Sequence, residues 1–79
     1  MPQEIKEKYE NWNEEDEALY EKAKELIIKL QRVSPSLLQR YFKIGYACSA
    51  RLLDVLEERR IIGAVNYPYP RKVLIPPKN

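Results

Sequence analysis

The chain has 79 residues, no histidine, one cysteine and a formal net charge of +2. This length suits one small domain. Without histidine, and with Cys48 alone, the chain lacks the common general base, the usual zinc ligands and any internal disulfide. Gly45 and Gly63 stand apart, so no glycine-rich phosphate loop is present. We therefore expect no enzyme, no cofactor and no metal.

Hydropathy and charge further narrow the class of protein to which this chain can belong. No run of the sequence is apolar enough for a membrane span, and the amino terminus lacks a signal-peptide core. We expect a cytoplasmic protein with no membrane association of its own. Residues 1–31 hold nine acidic and five basic side chains, whereas residues 32–79 hold nine basic and three acidic. A basic half is typical of DNA binders, although a solvated surface explains the charge alone more simply.

The amino-terminal region predicts an extension followed by a helix. Residues 1–12 can form a short helix or a frayed segment, with Trp12 as a staple onto the next helix. Asn13 is a good N-cap, and the acids after it favour the positive end of the helix dipole. One apolar stripe follows at helical spacing: Leu19, Ala23, Leu26, Ile27 and Leu30. We predict a scaffold helix from Asn13 to Leu30.

The stretch from Ser34 to Arg60 predicts two further helices joined by a tight turn. Ser34 caps the second helix and Pro35 takes its first position. Its expected buried side consists of Leu37, Leu38, Tyr41 and Phe42. Residues 43–45 form the turn, and the third helix runs from Tyr46 to about Glu58. This layout is that of a helix-turn-helix, whose second helix enters the DNA major groove.

The carboxyl-terminal region predicts a β-hairpin. Residues 61–65 and 73–75 are β-prone, and the proline-rich loop 66–70 separates them. We also expect Val33 to lie in a short extended piece that pairs with this hairpin. The predicted fold is mainly α with a small β-hairpin: a winged helix-turn-helix of three helices plus a wing. Its domain spans residues 13–77, between the extension 1–12 and a tail at 78–79.

The predicted DNA-binding residues lie at the turn, on the third helix and at the exit of the wing. They are Arg40, Lys43, Tyr46, Ala47, Ser49, Arg51, Arg71 and Lys72. Arg51 is the candidate for a bidentate contact to guanine, with a surface ion pair to Asp54 as an equal alternative. Contacts to the DNA backbone are expected from Arg40, Lys43 and Tyr46 at the turn. The wing cations Arg71 and Lys72 suit contacts to the backbone or the minor groove. Ala47 lets the helix lie close to a surface.

Several of these positions have a structural alternative. Tyr46 is equally well explained as an aromatic lid over the turn. Ser49 is more simply explained as a small packing residue. Tyr67 and Tyr69 can stack on sugar, bind a protein or form an inert loop tip. Arg59 and Arg60 are more simply partners of the helix dipole.

The motifs resemble a known family. The run 38–46 (Leu-Gln-Arg-Tyr-Phe-Lys-Ile-Gly-Tyr), the run 50–57 (Ala-Arg-Leu-Leu-Asp-Val-Leu-Glu) and the run 71–77 resemble the gamma domain of the FtsK/SpoIIIE DNA translocases. The resemblance covers about residues 16–77. It implies a winged helix that recognises short oriented sequences on double-stranded DNA and directs a translocating motor domain. It also implies contact with a XerD-like recombinase and activation of that enzyme.

The chain departs from the family pattern at three places. The family has Asn-Arg where this chain has Ala47 and Cys48, and these side-chain types read adenine and guanine edges. Arg51 keeps a family arginine, whereas Asp54 replaces a family glutamate and Arg60 replaces a family glycine. Two other functions stay open. One is a winged helix that binds a protein through its third helix or the Tyr67–Tyr69 tip. The other is a stand-alone transcription regulator, which needs a dimer.

Overall fold

Three α-helices form most of the structure. The computed structural model describes residues 12–77, in which α1 spans Glu14–Leu30, α2 spans Pro35–Phe42 and α3 spans Tyr46–Glu58. α3 packs against both α1 and α2. The predicted helix positions are confirmed. Apart from Trp12, the predicted extension lies outside the described residues, as does the tail at 78–79.

Local caps define where α1 begins and ends. The Asn13 side chain accepts a hydrogen bond from the Asp16 amide at 2.9 Å, and Asp16 Oδ2 accepts one from the Asn13 amide at 3.1 Å. This reciprocal pair is a capping box, and it confirms Asn13 as the N-cap. Gln31 ends the helix in the left-handed region with φ 57°, and its amide donates to the Ile27 carbonyl at 2.7 Å.

α2 also begins at its predicted cap. Ser34 Oγ accepts a hydrogen bond from the Leu37 amide at 3.1 Å, and Pro35 follows at the first helical position. The helix ends at Lys43, whose backbone is left-handed with φ 56°. The Ile44 amide then donates to the Gln39 carbonyl at 3.1 Å, so the chain turns sharply toward α3.

The end of α3 is a Schellman motif. The Ile61 amide donates to the Leu56 carbonyl at 2.8 Å, and the Arg60 amide donates to the Glu57 carbonyl at 3.0 Å. Arg60 adopts φ 63°, a left-handed conformation that glycine takes at no steric cost. The helix therefore ends where the sequence predicts. Arg60 adopts there a backbone conformation that is sterically unfavourable for a residue with a Cβ.

One hydrophobic core lies between the helices and the residues that follow α3. It contains Tyr20, Ala23, Ile27, Ile28, Val33, Leu38, Leu52, Leu53, Val55, Leu56, Ile61 and Ile62. The buried stripe of α1 differs from the predicted one, because Tyr20 and Ile28 are buried while Leu30 is 39% exposed. The prediction for Tyr41 is also wrong, since this side chain is exposed and Leu38 is the buried residue of α2.

Residues 61–77 fold back on themselves through isolated bridges. Ile62 pairs with Val73 and Asn66 with Tyr69, both antiparallel. The Gly63 amide donates to the Lys72 carbonyl at 2.9 Å, and the Leu74 amide donates to the Ile61 carbonyl at 2.8 Å. The predicted pair of regular strands is not present within residues 12–77, where this backbone pairing is too short to form a ladder. Prolines at 68, 70, 76 and 77 explain this, because proline has no amide hydrogen to donate.

A side chain joins this segment to α1. Gln31 Nε2 donates to the Ile75 carbonyl at 2.9 Å and to the Ile28 carbonyl at 2.7 Å. Val33, which was predicted to pair with the hairpin, is buried in the core. Within residues 12–77, no helix combines the length and the apolar character needed to cross a bilayer.

Candidate nucleic-acid interface

The turn between α2 and α3 leaves the amino-terminal end of α3 open. Gly45 is the N-cap of α3 and offers no side-chain acceptor to the first amides of the helix. Tyr46 is 68% exposed at the first helical position, and Ala47 beside it is also exposed. A Cβ added to Gly45 would meet no atom within 4 Å. An anionic group could therefore approach this end of α3 closely.

Five positions form the outward stripe of α3. At 100° per residue, Ala47, Ala50, Arg51, Asp54 and Glu58 share one side of the helix. The opposite side carries the buried residues Ser49, Leu52, Leu53, Val55 and Leu56. Arg51 supplies the positive charge of this outward stripe. Asp54 and Glu58 lie about one helical turn apart toward the carboxyl end of α3. The stripe is therefore mixed in charge, with its basic and small residues nearest the turn.

Arg51 lies at the edge of the stripe that faces α1. Its Nη2 is 3.8 Å from Asp16 Oδ2, and its guanidinium carbon is 5.7 Å from the centroid of the Trp12 ring. The side chain keeps 43% of its surface exposed. The ion-pair partner is Asp16, from the first turn of α1, rather than the predicted Asp54. Sequence reasoning missed both neighbours of Arg51, because only tertiary packing brings them there.

A second arginine ties the far end of α3 to α1. Arg59 donates to both carboxylate oxygens of Glu17, at 2.8 and 3.1 Å, and lies 4.4 Å from the Tyr20 ring centroid. Trp12 Nε1 also donates to Glu17 at 2.8 Å. The hydrogen bonds from Arg59 and then Trp12 lower the pKa of Glu17, and the Glu17 carboxylate raises the pKa of Arg59. Arg59 therefore makes a specific ion pair across the two helices.

Ser49 requires a correction. Its side chain is fully buried, and its hydroxyl donates to the Tyr46 carbonyl of the same helix at 2.8 Å. A residue with no accessible surface cannot touch DNA in this structure. The packing explanation accounts for Ser49, which takes no part in the proposed interface.

The two wing cations are placed differently. The Arg71 side chain is only 18% exposed, and its Nη1 lies 3.5 Å from Glu57 Oε1 on α3. This contact is an ion pair without hydrogen-bond geometry, because Nη1 has no hydrogen-bond partner among the described residues. Lys72 is exposed, and its backbone carbonyl accepts a hydrogen bond from the Gly63 amide. Lys72 is thus presented to solvent, whereas Arg71 braces residues 61–77 against α3.

The remaining predicted cations lie on α2 and at its end. Arg40 and Lys43 are both exposed. Arg40 lines a surface cleft together with Arg32, Ser36, Leu37 and Tyr41. Arg32 is not among the predicted DNA-binding residues; it precedes the α2 cap, whereas Arg40 lies near the end of that helix. The cleft therefore brings Arg32 and Arg40 to one exposed surface of α2.

Comparison with known proteins defines the class to which this domain belongs. The family model described as "Ftsk gamma domain" matches residues 14–76. The DNA translocase SpoIIIE of Bacillus subtilis (strain 168) is 46% identical over 66 residues, which are 84% of this chain and 8% of that protein. The DNA translocase FtsK of Oceanobacillus iheyensis is 48% identical over 61 residues, covering 77% of this chain and 8% of that protein. FtsK of Staphylococcus aureus (strain Mu50) is 45% identical over 60 residues, with shares of 76% and 8%.

The chain belongs to the FtsK gamma domain family. The predicted family resemblance is thereby confirmed, with a matched range close to the one expected from the motifs. The chain spans about 8% of the length of these curated relatives.

Proposed function

We propose that this chain is a winged helix that binds double-stranded DNA and reads its sequence through α3. The observation that carries the proposal is the exposed stripe of α3 with Arg51 on it, in a chain of the FtsK gamma domain family. The relatives are named DNA translocases, which supports DNA as the partner. In a helix-turn-helix, the amino-terminal part of the second helix faces the base edges.

The residues around the turn have the chemistry of backbone contacts. Arg40 and Lys43 are exposed cations, and Tyr46 presents its ring and hydroxyl beside the uncapped start of α3. Such groups position a protein on duplex DNA without reading its sequence. Ala47, which has almost no side chain, lets the helix approach the groove. Arg51 then reaches a base edge, where a guanine offers two acceptors to its guanidinium.

Residues 61–77 act as the wing in this proposal. The bridge between Ile62 and Val73 brings the two halves of this segment together, and Arg71 packs against Glu57. Lys72 then carries the exposed positive charge of the wing toward the backbone or minor groove. Arg71 contributes by holding the wing beside α3.

In a whole translocase, this domain would orient the motor on the chromosome and activate a XerD-like recombinase.

A second candidate function is protein binding without DNA reading. The exposed tip of residues 61–77 favours it, because Tyr67 is 90% exposed and Val65, Tyr69 and Leu74 are also exposed. The acids Asp54 and Glu58 on the outward stripe of α3 point the same way, since they repel phosphates.

Selection from a random duplex pool, followed by anisotropy titrations, tests the proposal. The chain should enrich a short sequence, and its affinity should fall steeply with salt. Arg51→Ala should cost about 1–3 kcal/mol on the enriched duplex and much less on a scrambled one. Lys72→Ala should weaken both duplexes alike and reduce the salt slope. Lys29→Ala, at an exposed site near the end of α1, removes the same charge outside the interface.

Two outcomes would count against this function. Equal losses on every duplex for Arg51→Ala and Lys72→Ala would remove the base-reading role of Arg51. No duplex binding at low salt, together with saturable binding to a recombinase, would select the protein-binding candidate.

A further inference from the structure

Arg51 has a long side chain on an exposed helix surface, where it would ordinarily sample many rotamers. A bidentate contact to one base requires a single orientation of the guanidinium plane. In this structure, Arg51 lies over the Trp12 ring and beside Asp16, both contributed by the region where α1 begins. We propose that Trp12 and Asp16 are positioning residues that restrict Arg51 to a base-reading orientation, an inference that rests on the DNA-reading role proposed above.

The two supporting side chains are themselves anchored. Trp12 Nε1 donates to Glu17 Oε1 at 2.8 Å, and Arg59 donates to Glu17 through Nη1 and Nη2. Asp16 Oδ2 accepts the Asn13 amide at 3.1 Å within the capping box. Each contact of Arg51 therefore leads to a side chain whose own position is fixed by hydrogen bonds. Arg59 is the C-cap of α3, so the residue that holds Glu17 and Arg51 itself are both carried by the same helix.

The contacts are weak enough to leave Arg51 available. The 3.8 Å separation from Asp16 is longer than a hydrogen bond, and the two side chains are 43% and 23% exposed. Exposed ion pairs and exposed cation–π contacts each contribute little free energy. A bidentate contact to a base is stronger than either. Trp12 and Asp16 thus orient the guanidinium in the free protein without withdrawing it from DNA.

The specificity ratio is the quantity that this role controls. It is the affinity for the enriched duplex divided by the affinity for a scrambled duplex, measured at one salt concentration. Freeing a rotamer-rich side chain raises the entropy that binding must remove, so Trp12→Ala should lower the ratio roughly threefold to tenfold. Affinity for the scrambled duplex should stay unchanged. Trp12→Phe keeps an aromatic face but loses the hydrogen bond to Glu17. Its specificity ratio should lie between those of the parent and Trp12→Ala.

A double-mutant cycle separates positioning from simple stapling. In an Arg51→Ala background, Trp12→Ala should leave the specificity ratio unchanged, because the group that it positions is gone. Leu26→Ala serves as the control, since Leu26 is a partly buried residue of α1 that lies next to Tyr41 and Phe42. It should lower thermal stability without moving the ratio. Thermal melts would establish that every variant is folded at the assay temperature.

Three results would overturn the inference. An unchanged ratio in Trp12→Ala would make Trp12 a structural staple only. Tighter binding of the enriched duplex by Trp12→Ala would mean that these residues restrain Arg51 from binding. A parent chain that binds DNA with no sequence preference would remove the base-reading function, and the positioning role with it. The first two results leave the proposed function intact, so the failures are distinguishable.

Discussion

α1 and residues 61–77 flank α3 on different sides, and they are held by different kinds of contact. On the α1 side, the contacts are between side chains: Arg59 binds Glu17 in a bidentate pair and covers the Tyr20 ring. Residues 61–77 are held by short backbone pairs, by the buried Ile61 and Ile62, and by a 3.5 Å ion pair from Arg71 to α3. The first arrangement fixes where individual side chains lie. The second fixes the path of the chain and leaves exposed side chains free to adapt to a partner.

Matched tyrosine substitutions should give the largest difference between the two regions. Tyr20 is buried in the core beneath Arg59, whereas Tyr67 is almost fully exposed at the tip of residues 61–77. Tyr20→Ala should lower the free energy of unfolding by about 3 kcal/mol or more, because it leaves a cavity and uncovers Arg59. Tyr67→Ala should change it by less than about 0.5 kcal/mol. Urea unfolding followed by circular dichroism measures both, and similar losses would erase the distinction.

The junction between α3 and residues 61–77 should carry the next largest effect. Arg60 holds a left-handed backbone at the end of α3, which costs a residue with a Cβ about 1–2 kcal/mol relative to glycine. Arg60→Gly should therefore raise the free energy of unfolding by about 1 kcal/mol, after allowance for the added freedom of the unfolded chain. Arg60→Ala is the control, because it removes the charge and retains the strained conformation. Equal stabilisation by both variants would assign the effect to charge instead.

Acidic pH should weaken the α1 side selectively. Arg59 and Trp12 lower the pKa of Glu17 below its ordinary 4.5, so the folded state binds a proton less readily than the unfolded state. The pair thus stabilises the fold above pH 4.5, and this contribution is lost as the pH falls through the lowered pKa. The pair is about two-fifths exposed, so the expected contribution is below about 1 kcal/mol.

Unfolding of the parent and Glu17→Gln at pH 7 and near pH 3 measures this contribution. The parent should be the more stable at pH 7, and the difference should shrink at the lower pH. Glu21→Gln, on the exposed surface of α1, is the matched control for the loss of one carboxylate. A difference that stays constant with pH would show that the Glu17–Arg59 pair does not depend on ionisation.

The helices were predictable because their signals are local. Asn13, Ser34 and Pro35 act on amides within one turn, and each lies at the helix start that the sequence predicts. The burial pattern was less accurate, since it depends on which neighbour covers each side. Tyr20 and Ile28 of α1 are buried in the core, whereas Leu30 is 39% exposed. The regular hairpin failed to appear because strand pairing is non-local and prolines interrupt it.

The candidate site was predictable in its elements and less so in its details. The turn at Gly45 and the outward position of Arg51 follow from spacing along the chain. The sequence favours a packing role for Ser49 over a DNA contact, and its fully buried side chain agrees with packing. No sequence signal distinguishes Arg71 from Lys72, which are adjacent cations. Only the position of Glu57 on α3 engages one of them and leaves the other exposed.

By itself, the sequence determined the three helices, their ends and the membership of the FtsK gamma domain family, because caps, turns and motifs act over a few neighbouring residues. The tertiary structure decided which charged side chains are paired within the fold and which are available to a partner. It placed the start of α1 against Arg51, Glu17 against Arg59 and Glu57 against Arg71. These pairs join residues that are 14 to 42 positions apart in the sequence, and such proximity arises only when the apolar sides of the helices pack together.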